Sequence, residues 1–263
     1  MKPFQDFSKS AKKNIRFILT DIDGTLTTEG RLPAAAFTAM ERLRQANRKV
    51  IPITGRPAGW CDHIARMWPV DAVVGENGAF FFRYDDGLKK MQRRYYKSEK
   101  QRASDRDKLE KLKSEILKKV PDCRVSADQA YREADLAIDF CEDIPALSGK
   151  DVDKIVSCFE KAGAHAKVSS IHVNGWFGEY DKLTMTRLLF EEVYQEILDD
   201  MKSNVIFIGD SPNDAPMFDF FPNSVGVANV FQFQERLVSK PAWVTREEGG
   251  HGFAEMVQVL LGL

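Results

Sequence analysis

The chain has 263 residues, 43% of them hydrophobic and 29% charged, enough to bury a core without disulfide or metal staples and to form two domains. With 38 Lys+Arg against 39 Asp+Glu, the net charge of −1 shows neither the basic excess of a nucleic-acid binder nor the acidic excess of a disordered tail. Cys61, Cys123, Cys141 and Cys158 are scattered without a C-x-x-C pair or a Cys/His cluster, which argues against a disulfide framework or a zinc site and for free thiols in a reducing compartment.

The first twenty residues are basic but lack an apolar stretch and a small-residue cleavage site, so no signal peptide is expected. No run of about 18 apolar residues occurs, so no transmembrane helix is expected and the cytoplasm is the default compartment. Residues 15–20 (IRFILT) form a short, almost wholly apolar run ending at Asp21, the pattern of a buried parallel strand. A helix is predicted over 33–46 from the spacing of Phe37, Met40 and Leu43. Residues 50–53 are predicted as the next strand, 58–67 as a helix and 71–74 as a third strand. This alternation predicts an α/β domain with a parallel sheet.

The pattern then changes. Residues 89–120 are strongly basic, and their second half is predicted helical on Leu109, Leu112, Ile116 and Leu117; the charge is read as a solvated face. Strands are predicted at 134–140 and 167–173, with a helix over 149–163 between them. The α/β alternation resumes with a helix over 181–200, strands at 204–208, 224–228 and 242–245, and a closing helix over 252–261. The division expected is a core of residues 1–87 and 179–263 with an inserted module at 88–178.

In open parallel sheets, ligands bind beyond the carboxyl ends of the strands. Three predicted strands end there in polar residues: Asp21-Ile22-Asp23-Gly24-Thr25, Thr54-Gly55-Arg56, and Gly209-Asp210-Ser211-Pro212-Asn213-Asp214. Four carboxylates converging from distant segments would repel one another without a cation, and an oxygen-only cluster suits a hard ion such as Mg²⁺. A carboxylate can attack phosphorus, and a second one nearby can protonate the leaving oxygen and then activate water. A hydroxyl, backbone N–H groups and a lysine such as Lys182 can hold the equatorial oxygens.

Each residue also has a plainer reading. Asp21 and Asp23 could form an Asx turn. Thr54 could cap a helix, Lys182 could be a surface lysine, and Asp210 with Asp214 could be an N-cap and a first-turn acid. Arg56 reads as a partner of a surface acid, Asn77-Gly78 as a structural turn, and Trp176 and Phe177 as packing residues.

Taken in order, these motifs resemble those of the haloacid dehalogenase (HAD) superfamily. Asp21-Ile22-Asp23-Gly24-Thr25-Leu26-Thr27 is similar to the first motif, Ile53-Thr54-Gly55-Arg56 to the second, Lys182 to the third and Gly209–Asp214 to the fourth. The insert between the second and third motifs, and Glu76-Asn77-Gly78-Ala79 before it, resemble the Cof-like (IIB) branch with a C2-type cap. The chain departs from that branch where Lys182 is followed by Leu183 rather than glycine.

The resemblance implies a Rossmann-like parallel-sheet core with an α/β cap, and Mg²⁺-dependent hydrolysis of a small phosphomonoester, with a sugar phosphate the best guess. It implies Asp21 as nucleophile and Asp23 as general acid/base whose carbonyl also meets the metal. Thr54, with Gly55, would bind the phosphoryl group, and Lys182 would neutralise its charge. Asp210 and Asp214 would be metal ligands, and Asn213 would orient Lys182 or the phosphate. His172 and Asn174 are expected near the pocket. The alternatives are a phosphomutase of the phosphomannomutase type, with Arg83, Arg93, Arg94 and Arg132 as phosphate clamps, and a catalytically silent phosphate-binding regulator. A P-type ATPase is disfavoured by Asp23 and the missing membrane span, and dehalogenase chemistry by the presence of Asp23. No nucleic-acid or membrane partner is expected.

Overall fold

The computed structural model describes residues 1–169 and 171–263. Its strands, in chain order, are Lys2–Pro3 (β1), Phe17–Thr20 (β2), Lys49–Pro52 (β3), Val73–Gly75 (β4), Phe80–Asp85 (β5), Lys90–Tyr95 (β6), Arg124–Val125 (β7), Leu136–Asp139 (β8), His165–Val168 (β9), His172–Trp176 (β10), Val205–Gly209 (β11), Ser224–Gly226 (β12) and Trp243–Val244 (β13).

A six-stranded sheet runs β1-β13-β12-β11-β2-β3, with every neighbouring pair parallel. All four side chains of β2 are buried, because the sheet is covered on both faces. Alternate residues feed different cores. Ile18, Val50, Ile206 and Ile208 pack on one side with Phe4, Met40 and Phe253. Phe17, Leu19, Ile51 and Phe207 pack on the other with Met185, Phe190 and Phe218. Each such large side chain stabilises the fold by about 1.5–3 kcal/mol on burial. β2 lies between β11 and β3, with Thr20 level with Ile208 and Pro52. The polar segments that follow these three strands therefore emerge side by side.

A separate antiparallel sheet, β7-β8-β10-β9, is packed by helices Glu99–Lys119 and Gly149–Lys161 around a third hydrophobic cluster that includes Leu112, Ile116, Ile138, Ile155 and Phe159. A capping box between Ser98 and Gln101 starts the first of these helices.

The structure departs from the sequence expectations at three places. The segment 80–95 is a hairpin, β5-β6, which pairs with β4, and β4 is bridged to the core through Ile53 and Val74. Phe80, Phe81 and Phe82 at its root are buried in the two core clusters, and residues 87 and 88 lie in its turn. The single strand expected over 167–173 is two antiparallel strands, β9 and β10, with Val173 opposite Val168. Between them the Ser169 hydroxyl accepts the N–H groups of Ile171 and His172; residue 170 lies outside the described residues. Finally, the helix expected over 181–200 is an α-helix at Lys182–Leu189 that passes into a π-turn at Phe190–Tyr194 and ends at Gln195, in left-handed conformation. That turn packs Phe190 and Tyr194, tilted and edge-on, against Phe17 of β2. A short helix, Leu198–Met201, follows.

Among the described residues, no helix is long and apolar enough to cross a membrane.

Candidate active site

Asp21 continues the ladder of β2 by donating its N–H to the Ile208 carbonyl at 2.9 Å, and its side chain is 7% exposed at the carboxyl edge of the sheet. The chain then turns through Gly24, whose φ of +76° favours glycine. A Cβ there would come within 2.5 Å of an Asp210 oxygen, so the residue also permits close approach of the two loops. Oxygens of Asp21, Asp210 and Asp214 lie within 4.8 Å of one another.

Lys182 opens the helix Lys182–Leu189, with Asp181 as N-cap, and its buried Nζ donates to Asp21 Oδ1 and to Asp214 Oδ1, each at 2.9 Å. The other Asp214 oxygen accepts the backbone N–H of Asp210 and of Ser211. Asp210 accepts from the Thr25 hydroxyl at 3.3 Å and from the Asn229 amide at 3.2 Å. Burial pushes the Asp21 carboxyl up to about 7; Asp214 and Asp23 add to the shift and Lys182 opposes it. Burial, with Asp21 and Asp214 adding to it, raises Asp210 well above the carboxylate range. Burial disfavours the Lys182 charge, but Asp21 and Asp214 outweigh it and hold the ammonium protonated.

With all three acids ionised against one ammonium, the buried cluster would carry two negative charges on oxygen donors. A hard divalent cation matches both that charge and those donors.

Asp23 has a separate partner. Arg56 donates to it from Nε at 2.9 and 3.0 Å and from Nη2 at 2.8 Å, and stacks on the Trp60 ring at 4.5 Å. The surface acid expected for Arg56 is therefore replaced by an acid of the site. Thr54 is fully buried, and its hydroxyl accepts the Arg56 N–H at 3.0 Å. Gly55 and Asn213 line the cavity between Asp21 and the insert, together with Arg132, Ser169, His172 and Asn174. Asn213 accepts from the Ser211 hydroxyl at 2.8 Å; the residue bonded to Lys182 is its neighbour Asp214. A larger surface cavity of about 430 Å³ lies beside Lys49 and Asp71, at the other end of β3.

The arginines considered as phosphate clamps are all paired. Arg132 bonds to Asp128 and Asp135 and to the Gly55 carbonyl, Arg83 to Asp85, Arg93 to Asp62, and Arg94 to Glu192.

Glu76 carries an unanticipated role. Its wholly buried carboxylate accepts backbone N–H groups from Ala58 at 2.9 Å, Glu133 at 2.9 Å, Ala134 at 2.6 Å and Asp135 at 3.2 Å. It thus joins the segment after Thr54 to the segment before β8. Two residues on, Gly78 has a φ of +109°, and a Cβ there would meet the Asp181 carbonyl at 2.1 Å. The turn therefore seats the helix that carries Lys182. An Asn-Gly pair signals a turn locally, but nothing local in the sequence shows what that turn touches.

Comparison with known proteins gives the family and similar folds. The family described as haloacid dehalogenase-like hydrolase matches residues 15–219. No curated protein matches the chain. Among solved structures, protein 0175 of Thermoplasma acidophilum is similar at 20% identity and a TM-score of 0.72, over 95% of this chain and 99% of that one. A trehalose-6-phosphate phosphatase related protein is similar at 15% identity and 0.62, over 94% and 96%. The sucrose-phosphatase of Synechocystis, solved with sucrose and phosphate, is similar at 15% identity and 0.61, over 93% and 97%.

Proposed function

Given that the chain belongs to the haloacid dehalogenase-like hydrolases, we propose that it hydrolyses a small phosphomonoester, best a sugar phosphate, through a phosphoryl group carried on Asp21. The observation that carries this reading is the buried cluster of Asp21, Asp210 and Asp214 around Lys182, whose ionised form would leave a charge of −2 to be met by a divalent ion.

Asp21, Asp210, Asp214 and the Asp23 carbonyl would hold Mg²⁺. When bound, the ion supplies positive charge to the cluster and to the transferring phosphoryl oxygens. Asp21 attacks phosphorus, and the bond from phosphorus to the leaving oxygen breaks as Asp23 gives that oxygen a proton. Asp23 then takes a proton from water, whose oxygen attacks the same phosphorus and frees Asp21. Lys182 and the Thr54 hydroxyl, with the backbone at Gly55, hold charge on the phosphoryl oxygens; Asn213 lines that pocket.

The insert over about 88–178 acts as a cap. The covered cavity amounts to about 20 Å³, room for roughly one water, so a substrate reaches Asp21 only when the cap moves. Polar groups on Asn77, Ser169, His172 and Asn174 favour a hydroxyl-rich leaving group. Because Arg83, Arg93, Arg94 and Arg132 are each engaged by acids, hydrolysis is favoured over a mutase reaction that has to grip a second phosphate.

The test is phosphate release from a panel of sugar phosphates and an aryl phosphate, with Mg²⁺ or with EDTA, for the natural chain and for Asp21→Asn. Release only with Mg²⁺, and none from the folded variant, is expected. Turnover by Asp21→Asn would sink the nucleophile assignment.

A further inference from the structure

Among the described residues, the hydrogen-bonded route from an insert side chain to a carboxylate of the site runs through Arg56. The Arg56 side chain is 7% exposed and meets three acids, Asp23 and Glu142 through hydrogen bonds and Asp128, which Arg132 holds, at 3.6 Å from Nη1. Nε and Nη2 hold Asp23, and Nη2 also donates to Glu142 Oε1 at 3.0 Å. The second oxygen of Glu142 lies 2.8 Å from Nε2 of buried His172, on β10.

The loop that carries Glu142 is itself built. Asp139, at the end of β8, accepts the backbone N–H groups of Cys141 at 2.8 Å, Glu142 at 2.7 Å and Asp143 at 2.9 Å. The Glu142 carboxyl is held below its usual range by the bond to His172 and by Arg56. An exposed ion pair would need none of this support, since such pairs contribute little by themselves.

We propose that Glu142 is a positioning residue for Asp23. By engaging Nη2 of Arg56 it fixes the plane in which that guanidinium presents Asp23 to the leaving oxygen, and it does so only while the insert is docked. The inference rests on the reading of Asp23 as the group that meets the leaving oxygen. Its consequence is selective. A leaving group that departs readily needs little help from Asp23, whereas an alcohol needs it fully.

The experiment measures kcat/KM, which reports on steps through leaving-group departure, for 4-nitrophenyl, phenyl and benzyl phosphate with Mg²⁺. In Glu142→Gln the value for 4-nitrophenyl phosphate is expected to stay within about twofold. That for benzyl phosphate falls by about tenfold or more, part of the roughly 10²- to 10⁴-fold that a positioned acid supplies. Arg56→Lys, which keeps the charge and loses the planar fork, gives the same pattern, and Glu142→Ala is measured in its place if Glu142→Gln does not fold. An equal fall for all three substrates, or no change for any, overturns the proposal. Asp23→Asn separates the two levels. If it shows no leaving-group selectivity, the role of Asp23 itself fails. If it does and Glu142→Gln does not, only the link through Arg56 fails.

Discussion

The ammonium of Lys182 lies 2.9 Å from Asp21 Oδ1, although 161 positions separate the two residues. The same nitrogen reaches Asp214, so one buried cation offsets part of the charge of three clustered acids.

Lys182→Met is expected to leave those acids without their counter-charge. Removing one partner of a buried ion pair typically costs about 3–5 kcal/mol. Urea unfolding in EDTA should show a loss of that order, with partial recovery when Asp21→Asn is added in the same chain. Turnover should be absent in both variants.

The Asp21 carboxyl, pushed up to about 7 by burial, sets a pH dependence for the metal-free protein. Its pKa is raised in the folded state, so the native chain keeps a proton that the unfolded chain has lost. The stabilisation is full below about pH 4 and is lost as pH rises through about 7, at up to about 1.4 kcal/mol per pH unit. Unfolding midpoints in EDTA should fall between about pH 5 and pH 8, less steeply in Asp21→Asn. A midpoint that rises over this range would contradict the assignment.

Mg²⁺ should raise the thermal midpoint of the natural chain, by about 2.7 kcal/mol of added stability at a hundred times its dissociation constant. Asp210→Asn replaces a carboxylate ligand by a neutral amide and removes part of the repulsion. It should raise stability in EDTA, shrink the gain from Mg²⁺, and shift the half-saturating Mg²⁺ concentration for phosphate release upward by about tenfold or more. An unchanged Mg²⁺ response in this variant would remove Asp210 from the ligand set.

Glu76→Ala should orphan the buried N–H groups of Ala58, Glu133, Ala134 and Asp135. Each unsatisfied donor costs about 1–3 kcal/mol, less what water recovers. The expected outcome is a destabilisation of several kcal/mol, with hydrogen exchange at residues 133–135 accelerated relative to the strands of the six-stranded sheet. Unchanged exchange there would show that the carboxylate is not what holds that segment.

Much of the fold was legible locally. Short apolar runs ending in polar residues mark β2, β3 and β11, and a parallel sheet brings such ends together; Asp21, Asp210 and Asp214 meet for that reason. The hairpin over 80–95 is not legible locally, because Phe80–Phe82 is a continuous apolar run and the mixed-charge residues after it lack strict alternation. Residues 190–200 keep a helical composition, while packing on Phe17 selects the π-turn and the left-handed Gln195.

The α/β alternation and the chemical type of the residues at the strand ends can be read along the chain, since both follow from periodicity and local turn chemistry. Partnership cannot. Arg56 takes Asp23 and Glu142 rather than a surface acid, Asp214 rather than Asn213 meets Lys182, and Glu76 binds a distant segment of backbone. These pairings depend on strand order and on how the insert lies over the sheet. Buried charges and buried N–H groups must find partners wherever the folded chain brings them, and no local pattern encodes that distance.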